Sequence, residues 1–228
     1  MNYVTALAAI VALLFAGSVF DRYRVRGGAH LALWAFGALL FGVGVLAESL
    51  LSVGYVPVAL KAWYLTGAML TAPWLGQGTV ALLVKRRNVA PTLTAILLVV
   101  SLLCFELVRR AAVLDAPFDP GLPVAEQYRS LLDRNGLMVF FTIVLNIYGT
   151  LALVGGALYS VFIFWRKRVM RNRMLGNIFI ALGGMLPASG GSGILVGAFD
   201  WHSWSLLLGV VALYIGYVWA TTPDADEG

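Results

Sequence analysis

Few side chains that could do chemistry lie within the long apolar segments of this 228-residue chain. Glu48 lies near the end of one such segment, and Lys61 lies near the start of the next. A charge at the centre of a bilayer costs about 2.5 to 3.5 kcal/mol, so intramembrane charges suggest function. We expect Glu48 and Lys61 to meet, either as an interfacial ion pair or with Glu48 as a ligand-facing or proton-linked carboxylate. Glu106 has Arg109 and Arg110 three and four positions later, which predicts a local ion pair.

The residue types that hold metals are too sparse to form a centre. His30 and His202 begin different apolar segments, and we expect them at opposite faces of a hydrocarbon core about 30 Å thick. Cys104 is the single cysteine, and the only acidic residues within the apolar segments, Glu48 and Glu106, are both expected near one surface. The sequence therefore predicts no metal, haem or other cofactor and no enzymatic activity.

The segment 182–197 (LGGMLPASGGSGILVG) interrupts a long apolar run with one proline and several glycines. Proline removes a backbone donor, and glycine loosens the helix around it. We therefore expect a break at Pro187 that leaves backbone groups unpaired near the middle of the membrane. Irregular backbone at that depth survives only in protein or beside a wet cavity, and in transporters it often marks a binding site. Residues 190–193 (GGSG) lack the strand and the Lys-Ser or Lys-Thr pair of a phosphate-binding loop.

Polar and small residues recur at helical spacing in three other apolar segments, which predicts inward-facing stripes. The stripes are Trp63, Thr66, Leu70, Pro73 and Gln77; Thr142, Asn146, Gly149, Gly156 and Ser160; and Ser203, Tyr214, Tyr217 and Thr221. Helix packing explains any one of these residues alone. Together they predict a polar cavity open toward the outer half. The candidate ligand-binding residues are Glu48, Trp63, Gln77, Asn146, Pro187, Ser189, Ser192 and Tyr214.

The elements that would position these residues are seven membrane-spanning helices in a single all-α domain, residues 1–221. We predict spans at about 3–20, 31–52, 58–84, 90–108, 137–165, 174–198 and 201–221. An outer loop, 111–136, contains a short interfacial helix, and 222–228 is an acidic cytoplasmic tail. The first segment lacks the basic start of a signal peptide, so we interpret it as a retained helix.

Composition agrees with a membrane protein, because 61% of the residues are hydrophobic and only 12% are charged. Eleven of the sixteen Lys and Arg residues lie in the loops after the first, third and fifth segments. The positive-inside rule then places the N-terminus outside and the C-terminus in the cytoplasm. We expect a multi-pass protein of a bacterial-type inner membrane. The basic residues lie in short loops, so the net charge of +5 does not indicate nucleic-acid binding.

Segments 63–69 (WYLTGAM) and 73–79 (PWLGQGT) resemble parts of uncharacterised bacterial seven-helix membrane proteins, a similarity that implies no activity. Aligning residues 3–40 with the chain from 148 onward matches Tyr3 to Tyr148 and Thr5 to Thr150, which hints at a three-one-three repeat. That topology is similar to SWEET-type sugar transporters. The span count is similar to microbial rhodopsins, but no lysine occupies the last helix, so a retinal Schiff base is excluded.

Two functional hypotheses remain open from the sequence. The first is a protein that binds a small solute or lipophilic ligand between its helices, as a carrier or a ligand sensor. The second is a non-catalytic accessory or scaffold subunit that acts through a partner membrane subunit. Membrane lipids are expected partners in both cases.

Overall fold

The computed structural model describes residues 3–168, 170–194 and 199–222, and side chains are described throughout these ranges except at 191–194, 199 and 200. In the described residues the regular secondary structure is helical, and one isolated β-bridge joins Val113 to Leu132. The α-helices are α1 (Tyr3–Arg26), α2 (Ala29–Leu51), α3 (Pro57–Ala62), α4 (Thr71–Leu83), α5 (Val89–Arg110), α6 (Val124–Leu131), α7 (Gly136–Thr150), α8 (Gly156–Lys167), α9 (Arg171–Ile194) and α10 (Phe199–Thr221). Two π-helical segments, Trp63–Leu70 and Leu151–Gly155, join α3 to α4 and α7 to α8.

Five helical stretches in the described chain are long and apolar enough to cross a bilayer. They are Tyr3–Arg26, Ala29–Leu51, Val89–Arg110, Gly136–Lys167 and Trp201–Thr221. The all-helical class is confirmed, and the chain is a multi-pass membrane protein. Lipid explains this architecture, because a helix satisfies its backbone polar groups within its own segment.

Helices α9 and α10 pack so closely that glycine is required on both. A Cβ atom at Gly176 would lie 2.6 Å from the carbonyl oxygen of Gly216, and one at Gly183 would lie 2.7 Å from that of Gly209. On each helix the two glycines are seven residues apart, so they lie on the same face. Small residues drive such close association in lipid, where apolar side chains gain little by leaving the bilayer.

The predicted break at Pro187 is wrong for the described residues, because α9 is helical through Ile194 and carries Pro187 inside it. The space for the proline ring comes from the neighbouring helix, where a Cβ atom at Gly209 would lie 2.9 Å from its Cδ atom. Neighbouring helices allow a membrane helix to accommodate a proline without breaking. Residues 195–198 of the predicted segment lie outside the described part of the chain.

Irregular backbone occurs instead at the π-helical segment Trp63–Leu70. Pro73 follows it within one turn and has no backbone N–H, so a carbonyl of the preceding turn loses its helical partner. The side-chain amide of Asn146 donates to the carbonyl oxygen of Ala68 at 2.7 Å. Thr71 donates its hydroxyl to the carbonyl oxygen of Thr66 at 2.7 Å. The Thr66 carbonyl also accepts the backbone N–H of Thr71, so the side chains supplement the backbone bonds of this segment. Such π-helical turns are frequent at functional sites.

The predicted short helix in the long loop is confirmed as α6, Val124–Leu131. It packs on the bundle, because Val124 and Leu131 are buried and the Tyr128 ring lies 5.4 Å from that of Trp63. The loop before α6 is joined to the end of this helix, because the Leu114 N–H donates to the Leu131 carbonyl at 2.9 Å. We call this side of the bundle, which carries residues 111–135, the loop end.

The predicted ion pair on α5 is also confirmed. The Arg109 Nε atom lies 2.7 Å from Glu106 Oε2, and Arg110 contacts the other carboxylate oxygen. All three side chains are at least one-third exposed, so this pair contributes little to stability.

Candidate functional site

A cavity of about 240 Å³ lies among α2, the helix of residues 57–83, the helix of residues 136–167, α9 and α10. For comparison, a dry cavity of about 150 Å³ binds benzene. In the present protein, the polar residues that line the cavity are Glu48, Trp63, Thr71, Asn146, Thr150 and His202. The large apolar residues that line it are Phe41, Val45, Leu75, Leu153, Leu206 and Leu213. Glu48, Trp63 and His202 meet near the loop end, whereas Thr71, Asn146 and Thr150 lie further along their helices among the apolar lining residues. We call the part of the cavity at Glu48, Trp63 and His202 the head region, and the rest, where apolar side chains predominate, the body.

Glycine and alanine create the volume of this cavity. Gly44, Gly67, Ala68, Gly183 and Gly184 line it. A Cβ atom at Gly44 would lie 2.7 Å from the Cα atom of Gly67, so α2 and the π-helical segment touch through their backbones. The void remains open because glycine and alanine line it at these positions. Larger side chains there would fill the space.

The head region centres on the Glu48 carboxylate, which two side chains from distant helices contact. Trp63 donates its indole N–H to Glu48 Oε2 at 3.1 Å, and His202 Nε2 lies 2.9 Å from Glu48 Oε1. Glu48 and His202 are each 6% exposed. Burial at this level requires pairing, because an isolated buried charge is very costly. We call these three residues the Glu48 cluster.

The expectation that Glu48 meets Lys61 is wrong. Lys61 donates its ammonium group to the carbonyl oxygen of Arg109 at 2.9 Å, on the exposed side of the loop end. A lysine one turn into its helix has a long stem that reaches the interface, where water and carbonyl groups solvate the charge. His202 occupies the position beside Glu48 instead.

His202 has one ring nitrogen whose hydrogen bonding is incomplete. Its Nδ1 atom is buried and lies near the carbonyl of Gly190 without a hydrogen bond of good geometry. Both nitrogens donate in the imidazolium form, whereas only one donates in the neutral form. The Nε2 contact with Glu48 is compatible with either form, so the ring can lose a proton without losing that contact.

Aromatic residues of the loop end cover the Glu48 cluster. The ring of Tyr128 of α6 is tilted against that of Trp63 and lies 5.7 Å from the ring of Tyr64. The Arg134 guanidinium lies 4.7 Å from the Tyr128 ring centre. Tyr55 packs on Phe118 in the same region, and burial raises the pKa of its phenol.

Four of the predicted ligand-binding residues, Glu48, Trp63, Asn146 and Pro187, line the cavity. The amide of Asn146 is engaged by the carbonyls of Ala68 and Thr142, so its first role is to satisfy backbone. Its position in the cavity wall follows from the inward stripe that the sequence predicts.

Three predicted residues lie elsewhere in the structure. Gln77 is fully buried and bonds to Ala90 and Thr94 of α5 and to Tyr148. Tyr214 faces α1, where its hydroxyl lies 2.6 Å from that of Ser18. Ser189 is exposed and donates to the Leu186 carbonyl on its own helix. The side chain of Ser192 lies outside the described part of the structure.

His202 is the site residue that the sequence interpretation missed. The sequence placed it at the outer start of the last helix, and Glu48 near the same surface, but it gave no lateral neighbour for either. The only available signal was that both polar residues occupy the same depth. Contact between residues 154 positions apart depends on how the helices pack.

No group of three or more His, Cys, Asp or Glu side chains able to hold a metal occurs among the described residues. Comparison of the chain with protein-family models, with curated proteins and with solved structures gives no match. The function must therefore be argued from the cavity and its residues.

Proposed function

We propose that this protein binds a small amphipathic molecule in the cavity, with the polar head of the ligand at the Glu48 cluster and its apolar body among Leu153, Leu206 and Leu213. One observation carries this proposal: a cavity larger than a benzene site has a mostly apolar lining and a buried carboxylate, indole and imidazole in mutual contact at one place in its wall. Such polarity matches a ligand of one ring or a short chain with one polar group.

The proposed membrane arrangement completes the sequence prediction. The helices of residues 57–83 and 171–194 join the five apolar helices to give seven spans, with the N-terminus outside and the C-terminus in the cytoplasm. The arginine-rich loops after spans one, three and five support this orientation through the positive-inside rule. A bacterial-type inner membrane is the proposed location, with the loop end outside.

A carrier or a ligand sensor is the proposed role. Either role requires an element that moves when the cavity fills. The π-helical segments Trp63–Leu70 and Leu151–Gly155 are suited to this movement, because both border the cavity and both depart from regular helical bonding. A carrier would expose the cavity to each side in turn, whereas a sensor would pass the movement to a partner.

The test uses the protein in phosphatidylcholine nanodiscs with three probes of one size: phenethylammonium, 2-phenylethanol and 3-phenylpropanoate. Titration calorimetry should show saturable binding of at least one probe. Ala68→Phe should abolish it, because Ala68 lines the cavity and a ring there fills the space. Ala95→Phe is the matched control, since Ala95 lies on the exposed face of α5. Absence of binding by all three probes, or equal binding by the Ala68→Phe variant, would contradict the proposal.

The second candidate function, a scaffold subunit, is favoured by one observation on α5. Leu97, Cys104 and Val108 are the only residues of this helix that are buried. A partner helix has room to pack on the remaining apolar surface. Co-purification of one stoichiometric polypeptide from native membranes, together with no probe binding, would favour this function over the first.

A further inference from the structure

We propose that the ligand is a cation, bearing an ammonium group that binds the Glu48 carboxylate in exchange for the proton of His202. This inference rests on the proposed function, since it assumes that a ligand occupies the cavity. It adds the chemical class of the ligand and couples binding to proton release.

Glu48 has unused capacity to accept hydrogen bonds. An ionised carboxylate offers about four acceptor sites, and among the described residues two side chains, Trp63 and His202, contact Glu48. The carboxylate is buried and lines the cavity. A donor arriving from the cavity therefore finds acceptor sites that the described side chains leave open.

The surroundings of Glu48 favour a positive charge over a negative one. Among the described residues that line the cavity, Glu48 is the only acidic side chain and none is Lys or Arg. Trp63 and Phe41 add aromatic rings to the wall, and ring faces attract cations at distances up to about 6 Å. Glu48 also lies in the last turn of α2, where the helix dipole favours a cation.

Charge balance links the cation to the His202 proton. A protonated His202 with ionised Glu48 forms a neutral pair, and adding an ammonium group would leave one uncompensated positive charge in a buried site. Loss of one proton from His202 to the solvent restores neutrality. The neutral ring still donates its Nε2–H to Glu48, so the contact persists. No covalent bond forms or breaks other than the N–H bond of His202.

His202 is placed to release this proton readily. It lies in the first turn of α10, where the helix dipole disfavours a positive charge. The proton is held mainly by the Glu48 charge, which is the group that the incoming cation neutralises.

Few other titratable groups face the pair from the elements around it. The helix of residues 57–83 contributes Tyr64, whose hydroxyl lies 3.0 Å from that of Thr142, and α6 contributes Tyr128 behind Trp63. Residues 174–190 of α9 contain no titratable side chain, and Lys61 is engaged at the surface. Asp200, two positions before His202, has a side chain outside the described structure, so it requires a control.

The decisive experiment is titration calorimetry of the full chain in phosphatidylcholine nanodiscs, repeated in buffers that differ in heat of ionisation. We expect phenethylammonium to bind at least tenfold more tightly than 2-phenylethanol, and 3-phenylpropanoate not to bind. Near the acidic end of the range, close to one proton should be released per ligand. The affinity for phenethylammonium should increase with rising pH, by up to tenfold per pH unit, until His202 is neutral before the ligand binds. The reason is that a more alkaline solvent removes the proton that competes with the ligand.

Three variants assign these effects to residues. Glu48→Gln should abolish the preference for the ammonium probe over the alcohol. His202→Gln, which keeps a donor beside Glu48, should bind phenethylammonium with no proton release and no pH dependence. Asp200→Asn should match the wild type in proton release and in pH dependence.

Equal binding of the ammonium and alcohol probes would overturn this inference and leave the proposed function intact. Proton release that survives in His202→Gln would also overturn it. If no probe binds to the wild type, the proposed function fails as well. The buffer comparison on the wild type needs no variant, so a poorly folded variant does not prevent the test.

Discussion

The bundle contains two buried polar clusters that differ in how completely their groups are paired. Gln77 donates both amide hydrogens, to the Ala90 carbonyl and to Thr94, and accepts from Tyr148. Within the described structure, the Glu48 cluster keeps open acceptor sites and a poorly bonded His202 nitrogen beside a cavity. Both clusters contain residues that hydropathy alone would mark as unusual. A satisfied cluster holds helices together, whereas an unsatisfied one beside a void can bind a ligand.

The largest expected effect on stability comes from breaking the contact between Glu48 and His202. His202→Leu removes the partner of Glu48 and leaves a buried carboxylate unpaired, which should lower the free energy of unfolding by about 3 kcal/mol. Equilibrium unfolding in mixed micelles measures this loss. Replacing both residues, as Glu48→Leu with His202→Leu, removes the charge and should recover most of it. A single variant as stable as the wild type would show that the pair carries no charge.

A smaller loss of stability is expected from the Gln77 cluster. Gln77→Leu removes three hydrogen bonds, each worth about 0.6 kcal/mol in a membrane protein, so the loss should be about 2 kcal/mol. Probe affinity should stay within twofold of the wild type, because Gln77 does not line the cavity. If the Gln77→Leu variant folded fully but did not bind the probes, the proposed difference in function between the two clusters would be wrong.

The indole hydrogen bond should affect binding more than stability. Trp63→Phe keeps an aromatic ring in the wall but removes the N–H donor to Glu48. A hydrogen bond to a charged group contributes about 1.5 to 3 kcal/mol, part of which water or ligand replaces, so we expect a three- to tenfold change in ammonium affinity. Calorimetry with phenethylammonium measures it, and Trp74→Phe, at an indole bonded to Ser101, is the matched control.

The smallest effects are expected at predicted site residues that lie away from the cavity. Tyr214→Phe removes one contact with Ser18 and should lower stability by about 0.6 kcal/mol. Ser189→Ala removes a bond within one helix turn and should change stability by less than about 0.5 kcal/mol. Neither should alter probe affinity, and a tenfold loss in either would show that the cavity is not the binding site.

The candidate site was predictable in part. The inward stripe placed Trp63 and Asn146 correctly in the cavity wall, because helical periodicity fixes which residues share a face. The same reasoning placed Gln77 and Tyr214 on inward faces without showing that these faces meet other helices rather than the cavity. Periodicity gives the direction of a side chain, but the neighbour that it meets depends on the whole bundle.

The sequence by itself determined the helices and the local ion pair of Glu106, because lipid requires each backbone group to bond within its own segment and residues three or four apart must be neighbours. Tertiary structure alone decided that Glu48 meets His202, that Pro187 is accommodated by Gly209, and that irregular backbone lies near Pro73. Each of these depends on which helix lies beside which, and small residues far apart in the chain set that contact. The cavity is a product of this packing.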